Sequence, residues 1–171
     1  MLEPAREADL PAIVDLVNLA YRGQGEAASW NVEVGVMEGA RTTLAFLAED
    51  LAAKPHAHLM VHREADAVLG CVWLEPLADG EWYLSLFAIQ PALQGGQLGR
   101  RVLAEAETFV AQHGGGRVRM SVMNVRTALI AWYERRGYVR TGETIPFPYH
   151  ETRFGRPMRD DLAFVVLAKA F

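Results

Sequence analysis

The sequence predicts an α/β (α+β) protein in which a mixed, mostly antiparallel sheet of about six to seven strands is flanked by about four helices. Three apolar stretches, 57–63, 67–75 and 81–89, are separated by turns that are short enough for antiparallel hairpins. A helical stretch joins the third of them to a strand around Val118, and strands joined by a helical crossover run parallel. Because 51% of the 171 residues are hydrophobic, the chain can bury a sizeable core, and we expect one domain over 1–171.

Two helices are predicted before these strands. Asp9 is placed to cap the first helix, which has Pro11 in its first turn and ends at Gly23. The second helix is expected over about 43–53, with Pro55 beyond its end. Its inward-facing residues are predicted to be Leu44, Leu47 and Leu51.

The remaining elements are predicted to be a strand over 116–123, a helix over 127–136 ended by Gly137, and strands over 138–143 and 162–167 that complete the sheet. Two long irregular segments, 22–39 and 145–161, lie outside this pattern. Loops of that length are often functional, so we expect them to form walls of a substrate pocket.

A glycine-rich turn follows the strand that ends near Ile89. Pro91 marks the exit of the strand, glycines stand at 95, 96 and 99, and apolar residues at helical spacing follow until Gly114. Glycines let the backbone approach an anion closely, and the free N–H groups at the start of a helix point towards a bound charge. The turn therefore indicates a phosphate site, although the same pattern also occurs where strand and helix merely pack tightly.

Gln94 and Gly99 frame this turn, Asn124 follows the next strand, and the later helix ends in Tyr-Glu-Arg-Arg-Gly-Tyr at 133–138. In these features the chain resembles the GNAT superfamily of acetyl-CoA-dependent N-acetyltransferases. Their motif is Gln/Arg-x-x-Gly-x-Gly/Ala at the turn, an Asn just past the next strand, and a helix that ends in Tyr-Glu-(Lys/Arg)-x-Gly-(Phe/Tyr). The middle glycine is absent here, because Gln97 stands in its place.

The resemblance implies a single-domain GNAT-like fold in which the one parallel pair of strands splays apart. It also implies an enzyme that transfers acetyl from acetyl-CoA, without a metal, to a primary amine of a small molecule or a protein. The alternative is a non-catalytic acyl-CoA-binding or regulatory module of the same fold, which the absent middle glycine keeps open.

By the same resemblance Tyr133 is the catalytic residue and donates a proton or a hydrogen bond to the leaving thiolate. A tyrosine of pKa about 10 would protonate a thiolate of pKa about 8.5 at an energy cost of about 2 kcal/mol, which favours a hydrogen bond. The other interpretation of Tyr133 is an ordinary core aromatic. The implied cofactor-binding residues are Phe87, Ala88, Ile89, Gln94, Gly95, Gly96, Gln97, Leu98, Gly99, Arg100 and Asn124.

Several of these positions have alternative roles. A backbone N–H near Phe87 would meet the oxyanion of the tetrahedral intermediate, or the strand is an ordinary buried one. Arg100 or Arg101 would add a charge-assisted contact to the pyrophosphate, or lie on a solvated helix face. Asn124 would hold the cofactor arm or a bridging water, or simply turn the chain after a strand.

Gln97 is expected in the first turn of its helix. The backbone there is right-handed, so glycine is not required at this position for its dihedral angles. The side chain of Gln97 then either turns outward, which we expect, or donates from its carboxamide to a phosphate oxygen.

No single residue is predicted to be the general base. The candidates are Glu75 and Glu81 at strand ends and Glu33 and His150 in the long irregular segments, and each is also an ordinary surface group. Cys71 lies in an apolar run, where we expect a buried and inert thiol. Without a nucleophilic cysteine, direct attack of the amine in a ternary complex is favoured over a covalent acyl-enzyme.

Three histidines, His56, His58 and His62, alternate along a predicted strand and would share one face of it. A metal site would need a fourth ligand that the sequence does not offer, so no metal is predicted.

The net charge of −4 argues against nucleic acid and anionic membranes as partners, since both favour a basic surface, and mildly suits a cationic acceptor. The start of the chain has no hydrophobic signal-peptide segment and no stretch approaches a membrane span, so we expect a cytoplasmic protein. The sequence leaves both a monomer and a homodimer open.

Overall fold

The computed structural model describes residues 1–23, 33 and 35–171. Within these ranges the chain forms four α-helices, a seven-stranded sheet and a separate two-stranded sheet. The helices are α1 (Leu10–Arg22), α2 (Leu44–Ala53), α3 (Leu98–Gln112) and α4 (Thr127–Glu134). The strands are β1 (Leu2–Pro4), β2 (Met37–Glu38), β3 (His58–Glu64), β4 (Ala67–Pro76), β5 (Glu81–Ile89), β6 (Arg117–Met123), β7 (Val139–Pro146), β8 (Arg156–Pro157) and β9 (Ala163–Ala170).

The large sheet has the strand order β1-β3-β4-β5-β6-β9-β7, and β2 pairs with β8 in the small sheet. Every neighbouring pair in the large sheet is antiparallel except β5 and β6, which are parallel and are joined through α3. A helix is the usual crossover between parallel neighbours. The predicted fold class, a mixed and mostly antiparallel sheet with one parallel pair and four flanking helices, is confirmed.

The parallel pair separates along its length. Within the described residues β5 and β6 pair only where Glu81–Tyr83 lies against Arg117–Arg119. On its other side β5 shifts register against β4 between Cys71 and Trp73, and Leu86 adopts a positive φ of 46°. A bulge of this kind bends a strand, and the bend opens a gap between β5 and β6, as the resemblance implied.

Apolar side chains cover both faces of the sheet. Leu84, Phe87 and Ile89 of β5 belong to the cluster that packs α3 and α4 onto one face. Leu86 and Ala88 belong to the cluster that packs α1 and α2 onto the other. Side chains alternate between the two faces from Leu86 to Ile89, and the bulge puts Leu84 on the same face as Phe87, so the central strand β5 is anchored from both sides while its edge towards β6 is open.

Asp9 precedes α1 but does not cap it, contrary to the prediction. Its Oδ2 accepts a hydrogen bond from the backbone N–H of Arg6 at 2.7 Å, and its two carboxylate oxygens accept hydrogen bonds from Arg63 at 3.0 and 2.7 Å. A charge-assisted pair with a guanidinium is stronger than a bond to a neutral backbone amide, which explains why the carboxylate turns to β3.

The second helix also corrects one prediction. Leu44 is the first residue of α2 and is 48% exposed, whereas Leu47 is fully buried. The helix begins after Thr43, whose Oγ1 accepts a hydrogen bond from the backbone N–H of Phe46 at 3.2 Å. Among the helices of the described ranges, none has the length and apolar character that a membrane crossing requires.

The three shortest strands, β1, β2 and β8, were not predicted. Each has only two or three residues, too few for an alternating pattern in the sequence. Their pairing depends on distant partners, as in the alignment of Leu2 with His62.

Candidate active site

Two cavities meet beside the open edge of β5. The larger has a volume of about 580 Å³ and the smaller about 320 Å³. Phe87 from β5 and Leu129 from α4 line both of them. Volumes of this size accommodate small molecules, and ligands in the two cavities would be neighbours across the shared wall.

The smaller cavity lies at the N-terminus of α3. Most of the predicted cofactor-binding residues line it, namely Phe87, Ile89, Gln94, Gly95, Gln97, Gly99 and Arg100. Ala88, Gly96 and Leu98 belong to the same segment but do not line the cavity, and the side chains of Ala88 and Leu98 are buried in the core.

The first turn of α3 presents backbone donors to this cavity. The backbone N–H of Arg101 donates to the carbonyl of Gln97 at 3.0 Å, which makes this the first hydrogen bond of the helix. The N–H groups of Leu98, Gly99 and Arg100 therefore precede the helical hydrogen-bond ladder. Together with the positive end of the helix dipole they form a site for an anion.

The conformation of Gln97 differs from the prediction. Gln97 is the residue before α3, with φ of 66° and ψ of −2°, so its backbone is left-handed rather than right-handed. The helix starts at Leu98, and the chain must reverse out of the turn that contains Gly95, itself at φ of 94°. Glycine tolerates this conformation without steric strain, which is a physical reason for a glycine at the middle position of the motif.

Arginines add positive charge to the smaller cavity. Arg100 and Arg136 line it, and within the described residues neither forms an ion pair with a carboxylate. Arg136 lies with its guanidinium carbon 3.5 Å from the ring centroid of Trp132 and donates to the Trp132 carbonyl at 2.6 Å. The Nε of Arg136 is buried and has no hydrogen-bond partner among the described residues. Burial, and to a smaller extent the positive charges of Arg135 and Arg100, lowers the pKa of the Arg136 guanidinium. A polyanionic ligand fits this arrangement, as the two phosphates of a pyrophosphate would.

Trp132 and Arg136 were missed in the sequence. Their spacing could have indicated a shared site, because residues four apart around a helix end lie on the same side. Trp132 follows Leu129, which also lines the cavity, within α4, and Arg136 lies in the turn just after the end of this helix.

Asn124 lies apart from the two cavities. Its Nδ2 donates to the Asp161 carbonyl at 2.9 Å, and its Oδ1 accepts from the backbone N–H of Ala163 at 3.1 Å. The carboxamide thus ties the end of β6 to the start of β9, which fits the alternative of a residue that turns the chain.

Tyr133 lines the larger cavity near the shared wall. Its ring centroid is 6.4 Å from that of Phe87 and 5.0 Å from that of Trp132, and the residue is 4% exposed. Burial raises the pKa of the Tyr133 hydroxyl above its usual value, with smaller contributions that include the nearby Tyr21. The hydroxyl is therefore protonated at neutral pH and can act as a hydrogen-bond donor.

Two of the four candidate bases line the larger cavity. Glu33 is 3% exposed and forms ion pairs with Arg22 and, at 3.1 Å, with Arg126. Glu75 lies 2.7 Å from Lys54. Glu81 instead pairs with Arg117 and Arg119, and His150 is exposed in the loop after β7, so neither lines this cavity in the described structure.

The long irregular segments contribute to the walls as expected. Described residues of both segments line the larger cavity, namely Arg22, Glu33, Met37, Ile145, Pro146, Phe147, Pro148, Glu151 and Phe154. The part of the first segment at 24–32 and 34 lies outside the described residues.

Cys71 is fully buried, as expected. Its Sγ donates to the Leu86 carbonyl at 3.4 Å, and burial raises the pKa of the thiol to about 12. A thiol with so high a pKa is neutral at physiological pH and is a poor nucleophile.

The three histidines do not act together. His56 lies in the turn before β3, contrary to the prediction, while His58 stacks on Trp82 at 5.6 Å and His62 lies 3.0 Å from Arg101. No group of three or more metal-ligating side chains occurs in the described ranges.

Comparison with known proteins assigns the class. Residues 26–138 match the acetyltransferase (GNAT) family, and the chain belongs to this family of acetyl-transferring enzymes. The IAA acetyltransferase of Azospirillum brasilense is 27% identical over 96 residues, which cover 56% of this chain and 63% of that protein. The match therefore spans less than two thirds of that relative. The predicted family is confirmed.

Solved structures share the fold over nearly the whole chain. The ribosomal-protein-alanine N-acetyltransferase from Brucella melitensis superposes with a TM-score of 0.70 at 22% identity, covering 100% of this chain and 99% of that one. The PaiA N-acetyltransferase from Thermoplasma acidophilum, in complex with coenzyme A, gives a TM-score of 0.74 at 12% identity, with 100% and 98% covered. At these identities the comparison shows the fold alone.

Proposed function

We propose that this protein is an N-acetyltransferase that transfers acetyl from acetyl-CoA to a primary amine by direct attack in a ternary complex. The observation that carries the proposal is the meeting of two cavities at Phe87 and Leu129, where β5 separates from β6. The smaller cavity suits the donor and the larger the acceptor. The two substrates would then react across the shared wall without a covalent enzyme intermediate.

The donor is held by residues around the start of α3. The backbone N–H groups of Leu98, Gly99 and Arg100 would bind the pyrophosphate, and Arg100 and Arg136 would add charge-assisted hydrogen bonds. The open edge of β5 from Phe87 to Ile89 offers backbone groups to the amides of the cofactor arm, because β6 does not pair with it there. When bound, acetyl-CoA supplies an activated thioester carbonyl.

The amine nitrogen attacks this carbonyl, the C–S bond breaks, and the thiolate leaves. Tyr133 would donate a hydrogen bond to the departing sulfur, and its raised pKa favours a shared hydrogen bond over complete proton transfer. A backbone N–H near Phe87 is proposed to stabilise the oxyanion. The carboxylates of Glu33, Asp50, Glu75 and Glu151 line the acceptor cavity, and of these Glu33 or Glu75 is proposed to accept the amine proton, directly or through water.

Direct attack also follows from the absence of a suitable thiol in the described structure. Cys71 is the single cysteine of the chain and lies in the core with its pKa raised to about 12. An acyl-cysteine intermediate would require a thiolate that reaches the cavity.

We also propose that residues 1–171 form one domain. β1 pairs with β3 at one end of the sheet, and β9 lies between β6 and β7 at the other, so the two ends of the sequence belong to the same sheet. Residues 26–138, which match the family, lie inside this unit.

The proposal is tested by binding and turnover together. Acetyl-CoA in the presence of a chelator should raise the melting temperature, since a ligand that binds only the native state stabilises it. A panel of amines should then release free thiol. Binding without thiol release from any amine would favour the non-catalytic module, and no binding would contradict the donor assignment.

A further inference from the structure

One cation in the larger cavity, Arg41, forms no ion pair among the described residues. Arg41 lines the cavity and is half-buried, and within the described residues its guanidinium has no carboxylate within ion-pair distance. Its guanidinium carbon lies 4.8 Å from the ring centroid of Phe154 and 5.4 Å from that of Tyr21. Aromatic contacts stabilise the face of a guanidinium but leave its N–H donors at the rim available.

The other cations of the same cavity are paired. Arg22 and Arg126 both bind Glu33, and Lys54 binds Glu75. The group around Glu33 thus holds three arginines and one carboxylate, whereas the described lining as a whole carries four cations and four carboxylates, with Lys54, Asp50, Glu75 and Glu151 as its further members. Arg41 is near enough to Arg22 for the two positive charges to repel each other. A partly buried cation without a partner is unfavourable, and an anionic ligand would relieve this.

The backbone of Arg41 is fixed independently of its side chain. Oδ1 of Asn18, in α1, accepts hydrogen bonds from the backbone N–H groups of Arg41 at 2.7 Å and Thr42 at 3.2 Å. Nδ2 of Asn18 donates to the Thr42 carbonyl at 3.0 Å. The guanidinium is therefore held on the cavity wall by the fold, and does not itself hold the fold together.

Arg41 and Tyr133, the residue proposed to assist the reaction, line the same cavity. Tyr21 contacts Arg41 through its ring, with the guanidinium carbon 5.4 Å from the ring centroid. Both tyrosines line the larger cavity. One cavity thus offers both Arg41 and Tyr133 to a small molecule with two functional groups.

We propose that the acceptor carries a carboxylate in addition to its reacting amine, in the manner of an amino acid, and that Arg41 binds this carboxylate. The fork of N–H donors on arginine matches the two oxygens of a carboxylate. This inference rests on the proposed function and names its substrate class. It differs from the cationic acceptor that the net charge suggested, because the group of charges around Glu33 and Arg41 is positive although the total charge of the chain is negative.

The test compares three amines that differ only at the carboxyl position in the thiol-release assay with acetyl-CoA. These are an amino acid, its carboxamide and the corresponding amine without the carboxyl group. We expect kcat/KM for the amino acid to exceed that of the other two by at least ten-fold. Arg41→Gln should raise KM for the amino acid by at least ten-fold and remove the preference, with KM for acetyl-CoA unchanged.

Control variants separate the effect of the charge at position 41 on substrate preference from an effect on folding. Arg41→Lys keeps the charge but loses the fork, so KM should be intermediate. Arg117→Gln changes an exposed arginine that pairs with Glu81, and it should leave the preference intact. Melting temperatures close to wild type in all three variants show that the fold is retained.

A second measurement does not require turnover. Calorimetry should show that the N-acetylated amino acid, the reaction product, binds the protein more tightly than its N-acetylated carboxamide, and that Arg41→Gln abolishes the difference. Equal reactivity of the three amines, or an unchanged preference in Arg41→Gln, would overturn the inference while leaving the proposed function intact. If no amine releases thiol, the proposed function fails, and the binding comparison still decides the role of Arg41.

Discussion

The ring centroids of Tyr133 and Phe87 lie 6.4 Å apart, and Phe87 is on the wall that the two cavities share. Tyr133 comes from α4 and Phe87 from the bent strand β5, so their proximity depends on the bulge at Leu86. Backbone strain at such a point is consistent with a position where the chain is constrained for function. This relationship brings the Tyr133 side chain next to the wall that the two cavities share.

Replacing Tyr133 by Phe should lower kcat by roughly 10²-fold while leaving acetyl-CoA affinity near wild type, the usual effect of losing one acid–base group. Tyr83→Phe is the matched control, because Tyr83 lines the same cavity and its hydroxyl is hydrogen-bonded to Ser121 at 2.5 Å. Initial rates of thiol release measure both variants. If kcat of Tyr133→Phe is unchanged, the residue is a core aromatic only.

Gln97→Gly should stabilise the protein by about 0.5 to 1 kcal/mol, because relief of the left-handed strain outweighs the added flexibility of glycine. Gln97→Ala keeps the strain but removes the carboxamide, so it should not stabilise. Urea unfolding measures both free energies. Equal stability of the two variants would argue against strain at this position.

The same two variants test whether the side chain of Gln97 donates a hydrogen bond to a phosphate of acetyl-CoA. If its side chain turns outward, both variants should bind acetyl-CoA within about 1 kcal/mol of wild type, whereas a lost bond to phosphate should weaken binding by roughly 1.5 to 3 kcal/mol. We expect the first result. A gain above ten-fold in affinity would mean that Gln97 obstructs the site, and would favour the non-catalytic module.

Arg136→Gln should weaken acetyl-CoA binding by about ten-fold, since a charge-assisted contact to phosphate is lost. Arg140→Gln is the control, because Arg140 is exposed and pairs with Glu134. Calorimetry at constant ionic strength gives both dissociation constants. An unchanged value for Arg136→Gln would remove this residue from the donor site.

Acid stability should depend on Asp9. Its hydrogen bond from Arg63 lowers the pKa of the carboxyl in the folded state. A carboxyl with a lowered folded pKa stabilises above its unfolded pKa of about 3.9, and this contribution is lost as pH falls through the folded value. The free energy of unfolding should therefore fall less steeply below about pH 4 in Asp9→Asn than in wild type. The control Asp66→Asn, in the exposed turn between β3 and β4, should follow the wild-type slope.

The sequence predicts those parts of the fold that local patterns determine. The hairpins of β3, β4 and β5 and the glycine turn before α3 were found because turn chemistry and periodicity are local. The right-handed backbone predicted for Gln97 was wrong, because Gln97 precedes α3 instead of lying in its first turn. Helix boundaries are not fixed by propensity to that accuracy.

The donor side of the candidate site was predicted along one segment, and on the acceptor side Tyr133, Glu33 and Glu75 were predicted. Residues 87–100 are contiguous and carry a motif, whereas Arg41, Trp132 and Arg136 reach the cavities from other elements. Whether an arginine lacks a carboxylate partner is a property of tertiary contacts that spacing does not reveal. The roles of Tyr133 and of the cofactor-binding residues stay predictions until they are tested.

Initial-rate kinetics of thiol release, with acetyl-CoA and a reacting amine both varied, test direct transfer in a ternary complex most directly. The account predicts intersecting double-reciprocal lines and no free CoA above background hydrolysis until the amine is added. Parallel lines, or a stoichiometric burst of CoA in the absence of amine, would show an acyl-enzyme and contradict the account.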